Sequence, residues 1–137
     1  AYKSAPRLIQ YVLKTHKNQV LADLLGRNLD ELSRIQKEKG IQVIFVVVPI
    51  FYNFDDKSIN YMNDFVLSEC LKRNLDCINL LEVFKRNNYS ADQVKEDDGD
   101  IWHQNALGNE IIAAEIYKHI INNSNFRDLM KKRQGNQ

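Results

Sequence analysis

Asp100 and His103 are the residues of this sequence whose types and spacing best suit catalysis. They lie in the segment "DIWH", just before an apolar pattern with helical spacing. A carboxylate beside a histidine orients the imidazole ring, fixes which nitrogen holds the proton, and stabilises the imidazolium formed when a hydroxyl is deprotonated. The three-residue step serves this purpose if the segment is a loop or a single turn. The pair therefore predicts a role in activating a nucleophile.

The neighbours of the pair have predicted roles of their own. Asn105 is predicted to cap the following helix with its side chain, and Gly108 to let that helix approach its neighbour closely. Trp102 is expected either to line an acyl or alcohol pocket or to pack structurally. Asp97 and Asp98 compete with Asp100 for the acid role, but the pattern favours solvated loop charges for both.

The elements that must position these residues follow from the apolar pattern. Helical spacing predicts helices over residues 6–17, 19–39, 58–73 and 106–122. The apolar, β-branched segment 41–49 predicts a strand buried on both faces, which is typical of a parallel sheet covered by helices. A second short strand is predicted to begin at Asp76, and residues 85–100 are predicted to be irregular.

This alternation of helices and strands predicts an α/β sandwich. Two strands make a poor sheet, and the buried strand at 41–49 needs neighbours on both edges. We therefore expect part of a larger α/β domain whose remaining strands lie upstream. The last residues, "KKRQGNQ", are expected to be solvated and frayed.

The composition argues against several classes of protein. With 44% hydrophobic and 27% charged residues, the chain has the composition of a globular protein. The formal net charge of +1 comes from 19 basic and 18 acidic residues that are well mixed. No nucleic-acid or membrane-surface partner is therefore expected. We find no signal peptide and no apolar run near the length of a membrane span, and the localisation is left unknown.

No metal or organic cofactor is expected either. The acidic run "EDDGD" lacks the alternating acids of a calcium loop, and a zinc site needs more histidines or cysteines nearby. Cys70 and Cys77 are predicted to be two small buried thiols. His16 and His119 have no partner near them in sequence and are predicted to be ordinary residues on the polar faces of helices.

A longer string around the pair is more specific than the pair alone. The pattern D-x-x-H-x-N-x-x-G-x-x-x-x-A, from Asp100 through Ala113, resembles the last conserved block of the SGNH (GDSL-like) hydrolases. The preceding order also resembles the second half of that family: a helix ending at Gly40, a strand ending "VVVP", a helix, a short "INL" strand and a polar loop. The resemblance covers roughly residues 20–122.

The resemblance implies a three-layer α/β/α sandwich with a parallel, flavodoxin-like sheet that is incomplete in this chain. Residues 1–125 would be the C-terminal part of one SGNH-like α/β domain, and residues 126–137 a solvated tail. It also implies ester hydrolysis by a serine. In that scheme His103 takes the proton of the serine and returns it to the leaving alcohol, while Asp100 holds His103. No cofactor and no metal are implied.

The nucleophile of the family is missing from this sequence. It belongs to an N-terminal Gly-Asp-Ser block, but here Gly99 and Asp100 are followed by Ile101, and no serine has a suitable context. The segment "GRNLD" at 26–30 imitates the family's oxyanion block, yet it falls inside a predicted helix rather than after a strand. The serine and the oxyanion hole are therefore expected upstream, and this chain alone is expected to be inactive.

Two other functions remain open on the sequence. A carbohydrate O-acetyltransferase would keep the fold and use a sugar hydroxyl in place of water, so the substrate is either a small-molecule ester or a carbohydrate ester. A non-catalytic binding module of the same fold is the alternative from another class. If strands are missing, the exposed sheet edges also predict self-association.

Overall fold

The computed structural model describes residues 10, 14 and 19–134. In chain order the elements are α1 (Gln19–Lys39), β1 (Ile44–Val47), α2 (Lys57–Leu71), β2 (Asp76–Asn79), α3 (Leu80–Arg86), α4 (Ala91–Val94), α5 (Ala106–Asn122) and α6 (Ser124–Gln134). The helix predicted over 6–17 lies outside the described residues, apart from positions 10 and 14.

The end of α1 and both ends of α2 coincide with local sequence features that begin or stop helices. Helix α1 stops at Gly40, whose φ of +62° is the left-handed conformation that closes many helices. Helix α2 begins at Asp56, whose carboxylate accepts the backbone N–H of Ser58 at 2.9 Å. It ends before Asn74, which also has a positive φ. Both helices agree with the predicted segments to within two residues.

The sheet consists of β1 and β2, paired in parallel with Ile44 opposite Asp76 and Val47 opposite Asn79. Side chains alternate between its two faces, as strand geometry requires. Ile44, Val46 and Ile78 pack into a core formed with α3, α4 and α5. Phe45 and Cys77 face the opposite way, into a smaller cluster with α1 and α2.

The larger core is built around three phenylalanines, Phe51, Phe54 and Phe84. Phe51 and Phe84 are fully buried, with ring centroids 5.9 Å apart, and Phe54 stacks on Phe84 at 5.4 Å. Phe51 and Phe54 belong to the loop after β1, whereas Phe84 belongs to α3. This packing holds the loop at the carboxyl end of β1 in place.

The prediction of a three-layer α/β/α sandwich with a flavodoxin-like sheet is wrong. Of the described residues, 64% are helical, and these residues form a two-stranded parallel sheet, so the fold is mostly helical. The segment 41–49 forms a strand only over residues 44–47, and most of these side chains are half-buried rather than buried. The cause is that helices, and not further strands, supply most of the apolar side chains that cover this segment in the described part of the chain.

Three helices were not predicted. Helix α3 begins at Asn79, whose side chain accepts the N–H of Leu81 at 3.1 Å, so the apolar run after β2 is helical rather than extended. Helix α4 interrupts the stretch predicted to be irregular. Helix α6 includes residues 131–134 of the tail that was predicted to be frayed, and residues 135–137 lie outside the described residues.

The two cysteines also differ from the prediction. The sulfur atoms of Cys70, near the end of α2, and Cys77, in β2, are joined in a disulfide with a Cα–Cα distance of 6.7 Å. This separation lies within the range that a disulfide can bridge. The prediction of two free thiols is therefore wrong, because the turn between α2 and β2 brings their side chains to the same side.

Candidate functional site

Asp100 and His103 lie in the loop between α4 and α5. Two contacts bring the ends of this loop together. The backbone N–H of Glu96 donates to the carbonyl of His103 at 3.0 Å, and Lys95 pairs with Gln104 in an antiparallel bridge. The loop therefore returns on itself as a closed turn whose tip carries residues 97–102.

Asp97 and Asp98, the alternatives to Asp100 for the acid beside the histidine, make other contacts in this turn. Asp97 Oδ1 accepts the backbone N–H groups of Gly99 at 2.8 Å and Asp100 at 2.9 Å, so its side chain shapes the tip of the loop. Asp98 lies 3.8 Å from the ammonium group of Lys95. No contact of either carboxylate with His103 occurs in the described part of the chain.

Asp100 contacts His103 through both carboxylate oxygens. Oδ2 lies 2.7 Å from His103 Nδ1, while Oδ1 accepts the backbone N–H groups of Trp102 at 2.7 Å and His103 at 3.0 Å. The three-residue spacing works because the backbone turns once around the carboxylate. The backbone hydrogen bonds fix the acid, and the acid in turn fixes the imidazole ring.

The same contacts affect the pKa of Asp100, and the two side chains of the pair differ in exposure. The N–H of Trp102, followed by the ring of His103, lowers the pKa of the Asp100 carboxyl below its ordinary value, since both stabilise the ionised form. The Asp100 side chain is 21% exposed, whereas that of His103 is 75% exposed. The ring is held through Nδ1, and its outer edge faces solvent.

The pair lies beside the carboxyl end of β1. The backbone N–H of Phe51, in the loop after β1, donates to the carbonyl of Ile101 at 2.9 Å. Ile101 is itself buried against Ile50 and Ile59. In α/β structures ligands bind at the carboxyl ends of parallel strands, and this connection places the Asp–His turn at such an end.

Trp102 borders a small cavity next to the pair. The cavity has a volume of about 190 Å³ and lies between the end of β1 and the helix α2. Its lining includes Val47, Pro49, Ile59, Asn63, Val66 and Trp102. Trp102 as a residue is 47% exposed, so one part of it lines the cavity while another part faces solvent.

Asn105 and Gly108 join the loop to α5. Asn105 Oδ1 accepts the N–H of Gly108 at 2.9 Å as the N-cap of this helix, and its Nδ2 donates to the carbonyl of Gln93 at 3.0 Å. A Cβ atom on Gly108 would lie 2.7 Å from the carbonyl oxygen of Val94. The helix therefore starts in direct backbone contact with the end of α4, which fixes where His103 emerges.

Sequence reasoning missed a second His–Asp pair. His119 Nε2, on α5, lies 2.7 Å from Asp76 Oδ1 at the start of β2. Asp76 Oδ2 accepts the side-chain amide of Asn123 at 2.6 Å. The prediction that His119 is an ordinary polar-face residue is therefore wrong. Its partner is 43 residues away along the chain, so no local pattern could have identified it.

Four serines whose side chains the structure describes have structural contacts. Ser33 donates to the carbonyl of Arg73, Ser58 to Asp56 and Ser68 to the carbonyl of Phe65. Ser90 takes part in a capping box with Gln93. Within the described part of the chain, no serine hydroxyl is within hydrogen-bond distance of the ring of His103.

A wider groove lies on the other side of the loop after β1. We call it the tyrosine groove, and its volume is about 600 Å³. Its lining includes Tyr52, Asn53, Asp55, Asn88, Tyr89 and Asp92. Tyr52 directly follows Phe51, the residue bonded to Ile101, and Asp92 belongs to α4. Both walls of the groove are therefore connected to the segments that hold the Asp–His turn.

No group of three or more histidine, cysteine, aspartate or glutamate side chains is arranged to hold a metal ion in the described part of the chain. None of its helices combines the length and the apolar character needed to cross a membrane. In comparisons with known proteins, no family model, no curated protein and no solved structure matches this chain significantly.

Proposed function

We propose that this chain supplies the His–Asp pair of a serine ester hydrolase of the SGNH (GDSL-like) type. The observation that carries the proposal is the contact between Asp100 Oδ2 and His103 Nδ1. It leaves Nε2 on the exposed edge of the ring, where the triad arrangement requires the base to face its nucleophile. The nucleophilic serine and the oxyanion hole are proposed to lie in a preceding segment of the same polypeptide.

In the proposed reaction, His103 Nε2 takes the proton of the serine hydroxyl as the serine oxygen attacks the ester carbonyl. Collapse of the tetrahedral intermediate breaks the bond to the alcohol oxygen, and His103 returns the proton to the departing alcohol. Water then attacks the acyl-serine, with His103 as base, and releases the acid and the free serine. Asp100 stabilises the imidazolium at both stages.

The test is labelling with a fluorophosphonate probe, measured by intact mass. It is applied to these 137 residues and to the full-length product of the gene. Label on the full-length product alone, lost on His103→Gln, is the expected result. Label on neither protein would reject the hydrolase in favour of a non-catalytic module. Label on the 137-residue chain would reject the proposed position of the nucleophile.

A carbohydrate O-acetyltransferase is a second candidate, and the tyrosine groove favours it. Tyr52 and Tyr89 offer aromatic faces, and Asn53, Asn88 and Asp92 offer the polar groups that sugar hydroxyls bond. A sugar in this groove would lie beside the loop that carries Phe51. Acetyl transfer to added oligosaccharides, in competition with water, separates this function from hydrolysis.

Self-association through the sheet edges is part of the same proposal. β1 and β2 each pair on only one side within the described residues, so each presents one edge whose backbone groups can pair with another strand. The expected result is a species heavier than the monomer in sedimentation velocity at high concentration. A monomer over the whole concentration range would contradict it.

A further inference from the structure

Helix α5 carries apolar side chains on the side that faces solvent as well as on the side that faces the core. Ile112 and Ile116 pack against the larger core. On the other side of the helix, Leu107, Tyr117 and Ile121 are 37%, 66% and 44% exposed. A surface helix usually has a polar outer face, whereas a helix that is apolar all round is usually buried. The outer face of α5 therefore has the character of an interface.

The exposed side chains form one continuous surface, which we call the α5 stripe. Successive residues of a helix are rotated by about 100°, so residues three, four and seven apart share a face. By this rule six exposed positions fall within a sector about 100° wide. They are Leu107, Glu110, Ala114, Tyr117, Lys118 and Ile121.

The α5 stripe is nearly symmetrical about Ala114. Leu107 and Ile121 lie seven residues before and after it, and Glu110 and Lys118 lie four residues before and after it. Two copies of α5 that pack antiparallel about a two-fold axis at Ala114 therefore bring unlike ends together. Leu107 of one copy faces Ile121 of the other, and Glu110 of one copy faces Lys118 of the other. This is the self-complementarity that a two-fold interface requires.

The charges of the α5 stripe select the antiparallel orientation. Glu110 and Lys118 are about 12 Å apart along the helix axis, so they cannot pair with each other in one chain. A parallel pair in register would place like charges against each other, which is unfavourable. The antiparallel pair makes two attractive contacts instead. The small side chain of Ala114 at the axis lets the two helices approach to about 8 Å, the lower end of the usual range.

We propose that the α5 stripe is the interface for a second copy of this chain, with two α5 helices antiparallel about a two-fold axis at Ala114. This interface is distinct from the sheet edges and does not depend on the reaction proposed for His103. A single helix pair buries less than the roughly 1,600 Å² of a standard interface. The dimer is therefore expected to dissociate in the micromolar range.

The first test is cross-linking at the two-fold axis in the 137-residue chain. Cys70 and Cys77 are joined to each other, so Ala114→Cys introduces a single free thiol. Mild oxidation with copper phenanthroline should convert this variant into a disulfide-linked dimer, measured by intact mass. Ala113→Cys is the matched control. Ala113 is also exposed, but it is rotated by about 100° from Ala114, so this variant should remain mostly monomeric.

The second test is charge reversal, with the dissociation constant measured by sedimentation equilibrium. Glu110→Lys or Lys118→Glu should weaken the dimer about tenfold, because two attractive contacts become repulsive. The double variant should restore the affinity to within about threefold, since acid and base have exchanged places. Glu82→Lys is the matched control: Glu82 is exposed on α3, and its substitution changes the net charge by the same amount.

The proposal is overturned if both cysteine variants cross-link equally or if neither does. A dimer that the single reversals do not weaken, or that the double variant does not restore, would also overturn it, and association through the sheet edges would behave in this way. Thermal unfolding checks that each variant is folded. The full-length product of the gene should give the same cross-link. Its absence there would show that another segment covers the α5 stripe, against the proposal. Neither test uses catalysis, so both can fail while fluorophosphonate labelling succeeds.

Discussion

The described residues contain two His–Asp pairs with the same separation of 2.7 Å, and they differ in which ring nitrogen is used. Asp100 binds Nδ1 of His103, so the Nε2 edge is left outside the contact. Asp76 binds Nε2 of His119, so the nitrogen that general bases of the triad type use is already occupied. The same two residue types therefore form one contact suited to proton transfer and one that is not.

The pairs also differ in what they connect. Asp100 and His103 are three residues apart in a single turn, and the His103 side chain is 75% exposed. Asp76 and His119 join the start of β2 to the last turn of α5, and their side chains are only 21% and 28% exposed. A contact that closes a local turn adds little to the packing of the fold. A contact between distant elements, partly shielded from water, contributes to holding those elements together.

The largest expected difference between the pairs is in catalysis. In the full-length protein, His103→Gln should lower the hydrolysis of p-nitrophenyl acetate by about 10⁶-fold in kcat, since the base of the proposed triad is removed. His119→Gln should leave the rate within about threefold, because the contact of its ring with Asp76, in the described part of the chain, is structural. Equal losses in the two variants would contradict this distinction.

The next largest expected difference is in stability, and here the substitution of His119, rather than that of His103, has the larger effect. His119→Ala should lower the free energy of unfolding by about 1–3 kcal/mol, because the half-buried Asp76 carboxylate loses a hydrogen-bond donor. His103→Ala should change it by less than about 0.5 kcal/mol, as for most exposed side chains. Urea denaturation of both variants at pH 7 measures this. A larger loss in His103→Ala would show that the Asp100–His103 turn also supports the fold.

The two pairs also show what could be predicted from sequence. Asp100 and His103 are close in sequence, and the contact between them needs only one turn of backbone, so the motif identifies the partners. The partners His119 and Asp76 meet only because α5 packs beside β2. Contacts of this kind depend on the tertiary structure, and a single sequence does not reveal them.

For the fold as well, some features could be predicted from the local sequence and others could not. Helices α1, α2 and α5 are long enough for their apolar period to identify them, and they were predicted nearly to the residue. The fold class was wrong because apolar, β-branched residues at 41–49 indicate burial but not what covers the strand. Helix α3 was missed because its apolar run follows β2 without a break. The cap at Asn79 and the acid Glu82 three residues later were the available signals.

The third expected difference is which ring nitrogen carries the proton in each histidine. Its measurement leaves the fold unchanged. An ionised carboxylate only accepts hydrogen bonds, so the bonded nitrogen must carry the proton. In the neutral rings we therefore expect the proton on Nδ1 of His103 and on Nε2 of His119. Long-range ¹H–¹⁵N correlation spectra distinguish the two tautomers. The same tautomer in both rings would remove the basis of the comparison.

The smallest expected effect is the contribution of Asp100 to the change in the free energy of unfolding as the pH falls. Its pKa is lowered in the folded state by the N–H of Trp102 and by His103, so the unfolded chain binds protons more readily than the folded one. The contribution of Asp100 is therefore fully present above the unfolded pKa of about 4, and it is lost as the pH falls through the lower folded value. In Asp100→Asn the free energy of unfolding should decline less steeply between about pH 5 and pH 2. An unchanged slope would contradict a lowered pKa of Asp100 in the folded state and would mean that the turn does not depend on the charge of this carboxylate.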